Sequence, residues 1–189
     1  MKIISLVDNI SNKKGIGCEH GLSLYIETKE KKILFDTGAS DLFLENAQKL
    51  GVDINDIDYA VLSHGHYDHG GGLKRFLEVN STAEVIMKRE AFEKYYTLRP
   101  NGIREYIGID EEFKSNRRLV FAGERFFAGK NIEVFSKVIN KELYPSTNKD
   151  LFMKIGNKIS EDTFIHEQNL VITDQGKKRC LPDARTMEL

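Results

Sequence analysis

The stretch VLSHGHYDHGGGL (residues 61–73) holds three of the chain's five histidines, one aspartate and four glycines. Histidines do not crowd like this in an ordinary core, because each buried neutral imidazole has both a donor and an acceptor to satisfy. A polyvalent cation explains the crowding. His64 and His66 stand two residues apart, so on extended backbone their side chains project to one side and a single cation can take both. Asp68 and His69 follow a bend at Tyr67, where they could face a second cation beside the first. The glycines beyond them let the backbone pack close as a helix begins. Imidazole with carboxylate suits zinc, iron or manganese better than a thiolate-seeking metal. The residues leave the choice among these metals open.

On either side the pattern alternates between strand and helix. DYAVLS (58–63) reads as a short buried strand leading into the histidines, and GLKRFLEV (72–79) as a helix leaving them. Upstream, KIISLVD (2–8), LSLYIET (22–28) and KILFD (32–36) are β-rich runs. Ser40 can cap the helix DLFLENAQKL (41–50), where Phe43, Ala47 and Leu50 share a face and Gly51 supplies the stop. Downstream, EVIMK (84–88) is expected as a strand, REAFEKYY (89–96) as a helix, and residues 97–115 as a long loop covering the site. RLVFA (118–122), NIEVFSKV (131–138) and NLVIT (169–173) are further expected strands. This alternation favours a layered α/β architecture over an all-β sandwich.

The whole chain sets outer bounds. A length of 189 residues favours one domain, and 40% hydrophobic with 30% charged residues describe a soluble globular protein. With 28 basic against 29 acidic residues and no long basic block, nucleic acid is not an expected partner. The first apolar run is interrupted at Ser5 and ended by Asp8, too short for a secretory or membrane-spanning segment, so the expectation is a cytoplasmic protein without membrane attachment. Cys18 and Cys180 lie far apart and form neither a disulfide framework nor a metal pair.

SHGHYDHGGGL (63–73), preceded by ILFDTG (33–38), resembles the metallo-β-lactamase superfamily of metal-dependent hydrolases. EHGLSLYIE (19–27) and HEQNLVI (166–172) are similar to its branch related to dihydropterin ribofuranosyl-aminobenzene phosphate synthases. The resemblance runs to about Lys178 and implies an αββα sandwich with the site at one edge of two packed sheets. It implies His64 and His66 as ligands of a first metal, and Asp68 and His69 as ligands of a second. It also implies that Asp36 orients the histidine loop, since a ligating imidazole needs its other N–H held. The chemistry implied is a metal-activated water attacking a small-molecule ester, amide or phosphoester-like substrate, with Asp68 holding the water or taking its proton. The cofactor expected is zinc or another divalent metal, up to two ions. His20 and His166 are candidate substrate contacts; His166 matches none of the family's ligand motifs and is not assigned as one.

Beyond NLVIT the family pattern continues into a Cys-Ser-His-like motif, a bridging aspartate and a last histidine. Here the chain instead reads RCLPDARTMEL (179–189), polar and without a strand pattern. The resemblance therefore implies a C-terminally truncated domain over 1–178 and a non-family tail over 179–189. Two consequences are expected: an apolar sheet face lacking its partner layer, and self-association into a homo-oligomer to cover it. The rival reading is a truncated, catalytically weak or inactive scaffold. A barrel amidohydrolase with its own HxH fails on length, since about 250 residues are typical of that barrel.

Overall fold

The structure is a computed structural model, and it describes residues 1–136 and 146–182. The β-rich runs at the start of the chain form β1 (Lys2–Val7), β2 (Ser23–Glu27) and β3 (Lys32–Phe35). In β3 the consecutive residues Ile33, Leu34 and Phe35 are all fully buried, because the strand has an apolar layer on each face. Leu34 points into a cluster shared with helices, whereas Ile33 and Phe35 point into a cluster shared with a second sheet.

The helix side is built by α1 (Leu42–Leu50), which carries the chain over to β4 (Tyr59–Val61), parallel to β3. Phe43 and Ala47 of α1 are buried as expected, and Gly51 closes the helix in the left-handed conformation with its N–H on Ala47 O. Ser40 Oγ accepts the Leu42 N–H at 3.1 Å, close to the capping role expected of it. After β4 come α2 (Tyr67–Gly70), α3 (Leu73–Val79) and β5 (Glu84–Met87), again parallel.

Next in the chain are β6 (Lys94–Leu98), β7 (Arg104–Tyr106), β8 (Leu119–Phe121), β9 (Arg125–Phe127) and β10 (Ile132–Phe135). The last strands are β11 (Leu151–Ile155), β12 (Lys158–Glu161), β13 (Asn169–Asp174) and β14 (Lys177–Leu181). They complete three sheets: a six-stranded one, β1-β2-β3-β4-β5-β8, and two four-stranded ones, β14-β13-β10-β9 and β12-β11-β6-β7. The first two pack face to face through Ile33, Phe35, Val61 and Ile86 against Ile132, Val134, Leu170 and Ile172. The layers are thus helix, sheet, sheet, in the manner of the expected αββα sandwich. Among the described residues no helix covers the outer face of the second sheet.

Four expectations are corrected. REAFEKYY is not a helix: Arg89–Phe92 is a short 3-10 turn and Lys94–Leu98 is β6. Ala91, Phe92 and Tyr95 have helical spacing, but Tyr95 and Tyr96 pair with Met153 and Phe152 of a strand distant in sequence. Residues 97–115 are not one loop; they contain β7 and a 3-10 turn over Glu111–Ser115, though Gly108 does bridge to His66 beside the site. The tail begins as a strand, because Gln175 (φ 51°) and Gly176 (φ 75°) make the tight turn that folds β14 back on β13. Its polar character is that of an edge strand. Finally, the outer face of the second sheet is mixed rather than apolar. Arg125 and Glu133 form an ion pair at 2.6 Å there, and Phe127 is the sheet's one exposed large apolar residue among those described. Lys137, Val138 and residues 183–189, also covered by expectations above, lie outside the described residues. No helix among the described residues is long and apolar enough to cross a membrane.

Candidate metal centre

β3, β4 and β5 run parallel, and the residues that follow β4 cross their carboxyl ends, where open α/β sheets generally place their sites. The histidine loop is tied down on both sides. Leu62 N–H donates to Ile86 O at 3.0 Å, and Gln168 N–H donates to Ser63 O at 2.8 Å. His66 then sits on extended backbone (φ −91°, ψ 151°) immediately before α2, so Asp68 and His69 fall in that helix's single turn.

Asp36 organises the loop from below. It follows β3 at φ 59°, a left-handed conformation that costs a non-glycine residue about 1–3 kcal/mol and persists only where its surroundings impose it. Its buried carboxylate accepts from Ser63 N–H at 2.7 Å through Oδ1, and from Ser63 Oγ and His69 Nδ1, each at 2.8 Å, through Oδ2. These bonds determine the tautomers. The Ser63 hydroxyl spends its single proton on Asp36, so at 2.9 Å it accepts from His64 Nδ1–H. His69 likewise donates Nδ1–H to Asp36. Both imidazoles therefore turn an Nε2 lone pair toward the site.

The rings of His64 and His69 lie 4.2 Å apart and those of His64 and His66 4.7 Å apart. Burial, with the neighbouring imidazoles of His69, His66 and His166, holds His64 well below the ordinary histidine range, which keeps it neutral, as a ligand must be. Asp68 completes the group: its Oδ2 is 3.6 Å from His69 Nε2 and 3.4 Å from His20 Nε2. Ligand atoms of His64, Asp68 and His69 all lie within 4.8 Å of one another. His20 itself is largely exposed and steadied by Asn9 Oδ1 at 3.2 Å.

A second group gathers on the far side of His66. His66, Asp162 and His166 also bring ligand-type atoms within 4.8 Å of one another, all buried. Sequence reasoning missed Asp162; the available signal was an acid four residues before His166. Burial opposes its charge, but contacts from His166 and His66 and the Phe164 N–H outweigh that, holding its carboxyl well below the usual carboxylate range. His166, expected alongside His20 as a substrate contact, is instead fully buried. It directs both ring nitrogens at protein partners, Gly65 N–H (2.9 Å) and Asp162 Oδ2 (3.2 Å).

Gly65, between the two histidines, has no room for a side chain, since a Cβ there would fall 2.2 Å from the Ala91 carbonyl oxygen. Gly65→Ala is expected to lower stability by about 1–3 kcal/mol or more, the range for overpacking a tight site. A urea midpoint unchanged from the parent would contradict this.

Residues 16–130 match the family model of the metallo-beta-lactamase superfamily. The chain belongs to the metallo-beta-lactamase superfamily. MJ0448, an uncharacterized protein of Methanocaldococcus jannaschii, is 34% identical over 177 residues, covering 89% of this chain and 66% of that protein. The 7,8-dihydropterin-6-methyl-4-(beta-D-ribofuranosyl)-aminobenzene-5'-phosphate synthase of the same organism is 34% identical over 88 residues, 43% of this chain and 30% of the synthase. The crystal structure of Tm1679, a metal-dependent hydrolase of the beta-lactamase superfamily, superposes with a TM-score of 0.77 at 31% identity, over 95% of this chain and 64% of that one. The chain thus spans less than two thirds of the length of these relatives. In this metallo-beta-lactamase superfamily member, the histidine loop and Asp36 both lie within the matched region.

Proposed function

We propose that the chain is a metal-dependent hydrolase of a small-molecule ester, amide or phosphoester-like substrate, with His64, His66, Asp68 and His69 holding one or two divalent cations. The observation that carries this reading is that buried His64 and His69, turned lone pair first by hydrogen bonds at their other nitrogen, bring ligand atoms within 4.8 Å of Asp68, with the buried His66 ring 4.7 Å from that of His64. The donor set of nitrogen and carboxylate oxygen fits zinc, iron or manganese. When bound, such a cation supplies Lewis acidity that polarises the scissile group and eases ionisation of water.

The chain's own residues do the rest. Ser63 and Asp36 hold His64 and His69 in the ligating tautomer. Asp68 is the partly exposed member of the group, and in this reading its carboxylate takes a proton from the nucleophilic water. His20 is exposed and within reach of Asp68, and in this reading it contacts the substrate.

The test uses the full chain, stripped of metal and reloaded with Zn(II), Mn(II) or Fe(II), against p-nitrophenyl acetate and bis(p-nitrophenyl) phosphate. Turnover is expected with at least one metal, abolished by chelator, and reduced about 100-fold or more in Asp68→Asn, the lower bound for losing a proton-transfer group. Cation binding with no turnover of either substrate class would overturn the reading.

A further inference from the structure

We infer that Asp162 and His166 form a positioning pair that fixes which nitrogen His66 presents to the cation. The inference rests on the metal-binding reading above and concerns residues that lie outside the histidine motif.

The argument starts at Gly65. Its N–H donates to His166 Nδ1 at 2.9 Å, so that nitrogen is the acceptor and the ring proton of neutral His166 is on Nε2. His166 Nε2–H points at Asp162 Oδ2, 3.2 Å away. A protonated nitrogen has no lone pair for a metal, so the group of His66, Asp162 and His166 is not a cation site using His166, despite its spacing. It is a support.

His66 is the residue supported. Its Nε2 is buried, and among the described residues it has no well-formed hydrogen bond; it faces the same Asp162 Oδ2 at 3.5 Å. A carboxylate only accepts, so His66 meets it with Nε2–H, and the lone pair is then on Nδ1, the nitrogen left for the cation. His66 thus uses the opposite nitrogen from His64 and His69. One carboxylate oxygen serves two imidazoles, one belonging to the site and one bracing the backbone between His64 and His66.

The pair is held rigidly. Tyr95 stacks on His166 with ring centroids 3.9 Å apart and an interplanar angle of 22°. Phe164 N–H donates to Asp162 Oδ1 at 2.8 Å, across a turn in which Phe164 itself adopts a left-handed φ of 56°. A bulky residue in that conformation marks a turn imposed by its surroundings, here one that swings Asp162 and His166 to the same side.

The experiment has two arms, both on the full chain. In protein labelled with 15N-histidine and loaded with Zn(II), long-range 1H–15N correlation should show His66 coordinated through Nδ1 with a proton on Nε2, and His166 as the Nε2–H tautomer. Coordination of His66 through Nε2, or coordination of His166, would overturn the inference. In the second arm Co(II) is titrated into the parent and Asp162→Asn. The amide has one acceptor oxygen where the carboxylate has two, so it cannot keep both imidazoles and the Phe164 N–H together. Affinity should therefore fall about 10- to 100-fold, as for other lost supports of a ligand, with a changed visible Co(II) spectrum. Equal affinity and an identical spectrum in a folded Asp162→Asn would also overturn it. A parent that binds neither metal sinks the metal-binding reading itself and this inference with it, whereas a parent that binds while the variant is unaffected sinks this inference alone. Should Asp162→Asn fail to fold, the NMR arm on the parent decides.

Discussion

Replacing His64 and His66 together by alanine is expected to abolish tight divalent-cation binding. Their rings lie 4.7 Å apart on a loop that follows a buried parallel strand, and no other imidazole of the motif can take their place without moving the backbone. Losing a contact that merely supports a ligand costs about 10- to 100-fold in affinity, and losing a direct ligand costs no less. The double variant should therefore bind at least about 100-fold more weakly. Elemental analysis after dialysis, with a Co(II) titration for the affinity, reads the effect. A double variant that retains the parent's metal content would show that the cation is held elsewhere. Folding should survive, because Asp162 keeps His166 and the Phe164 N–H as partners when His66 is removed, so no buried charge is left alone.

Asp36 should behave in the opposite way, with the larger effect on stability. Its buried carboxylate accepts three hydrogen bonds, from Ser63 N–H, Ser63 Oγ and His69 Nδ1. Asp36→Ala strands all three donors in a site with almost no access to water, and breaking such a buried charged network by removing one partner costs about 3–5 kcal/mol. Urea unfolding measures it; a loss within about 1 kcal/mol would mean that Asp36 merely ends its strand. Asp36→Asn separates the two roles. The amide oxygen can still accept Ser63 N–H, but the amide N–H groups then face Ser63 Oγ and His69 Nδ1. That forces His69 toward the tautomer protonated on Nε2 and withdraws the lone pair it offered the cation. Asn should thus restore part of the stability while leaving cation affinity about 10- to 100-fold down, as for other supports of a ligand.

What could be read along the chain was whatever depends on near neighbours. The spacing of His64, His66, Asp68 and His69 marked the candidate site because all four residues come from one bend between a strand and a helix. The apolar run at Ile33, Leu34 and Phe35 announced a strand, and Gly51 announced a helix end, since each is a local backbone property. Asp36 was legible only through the family resemblance, as nothing in ILFDTG itself says which way its carboxylate turns.

The tertiary structure alone decided what depends on residues meeting across the chain. Tyr95 and Tyr96 left helical spacing for a strand because Met153 and Phe152 offered them a ladder. Lys177–Leu181 became an edge strand because β13 lay open beside it, although its polar residues carry no strand signal of their own. His166 and Asp162 acquired their role because packing of the two sheets brings His166 against Gly65, 101 residues away in sequence, and Asp162 against His66. A hydrogen bond acts over about 3 Å whatever the separation along the chain, so the nitrogen each histidine turns to the site is set by partners that only the folded chain brings within reach.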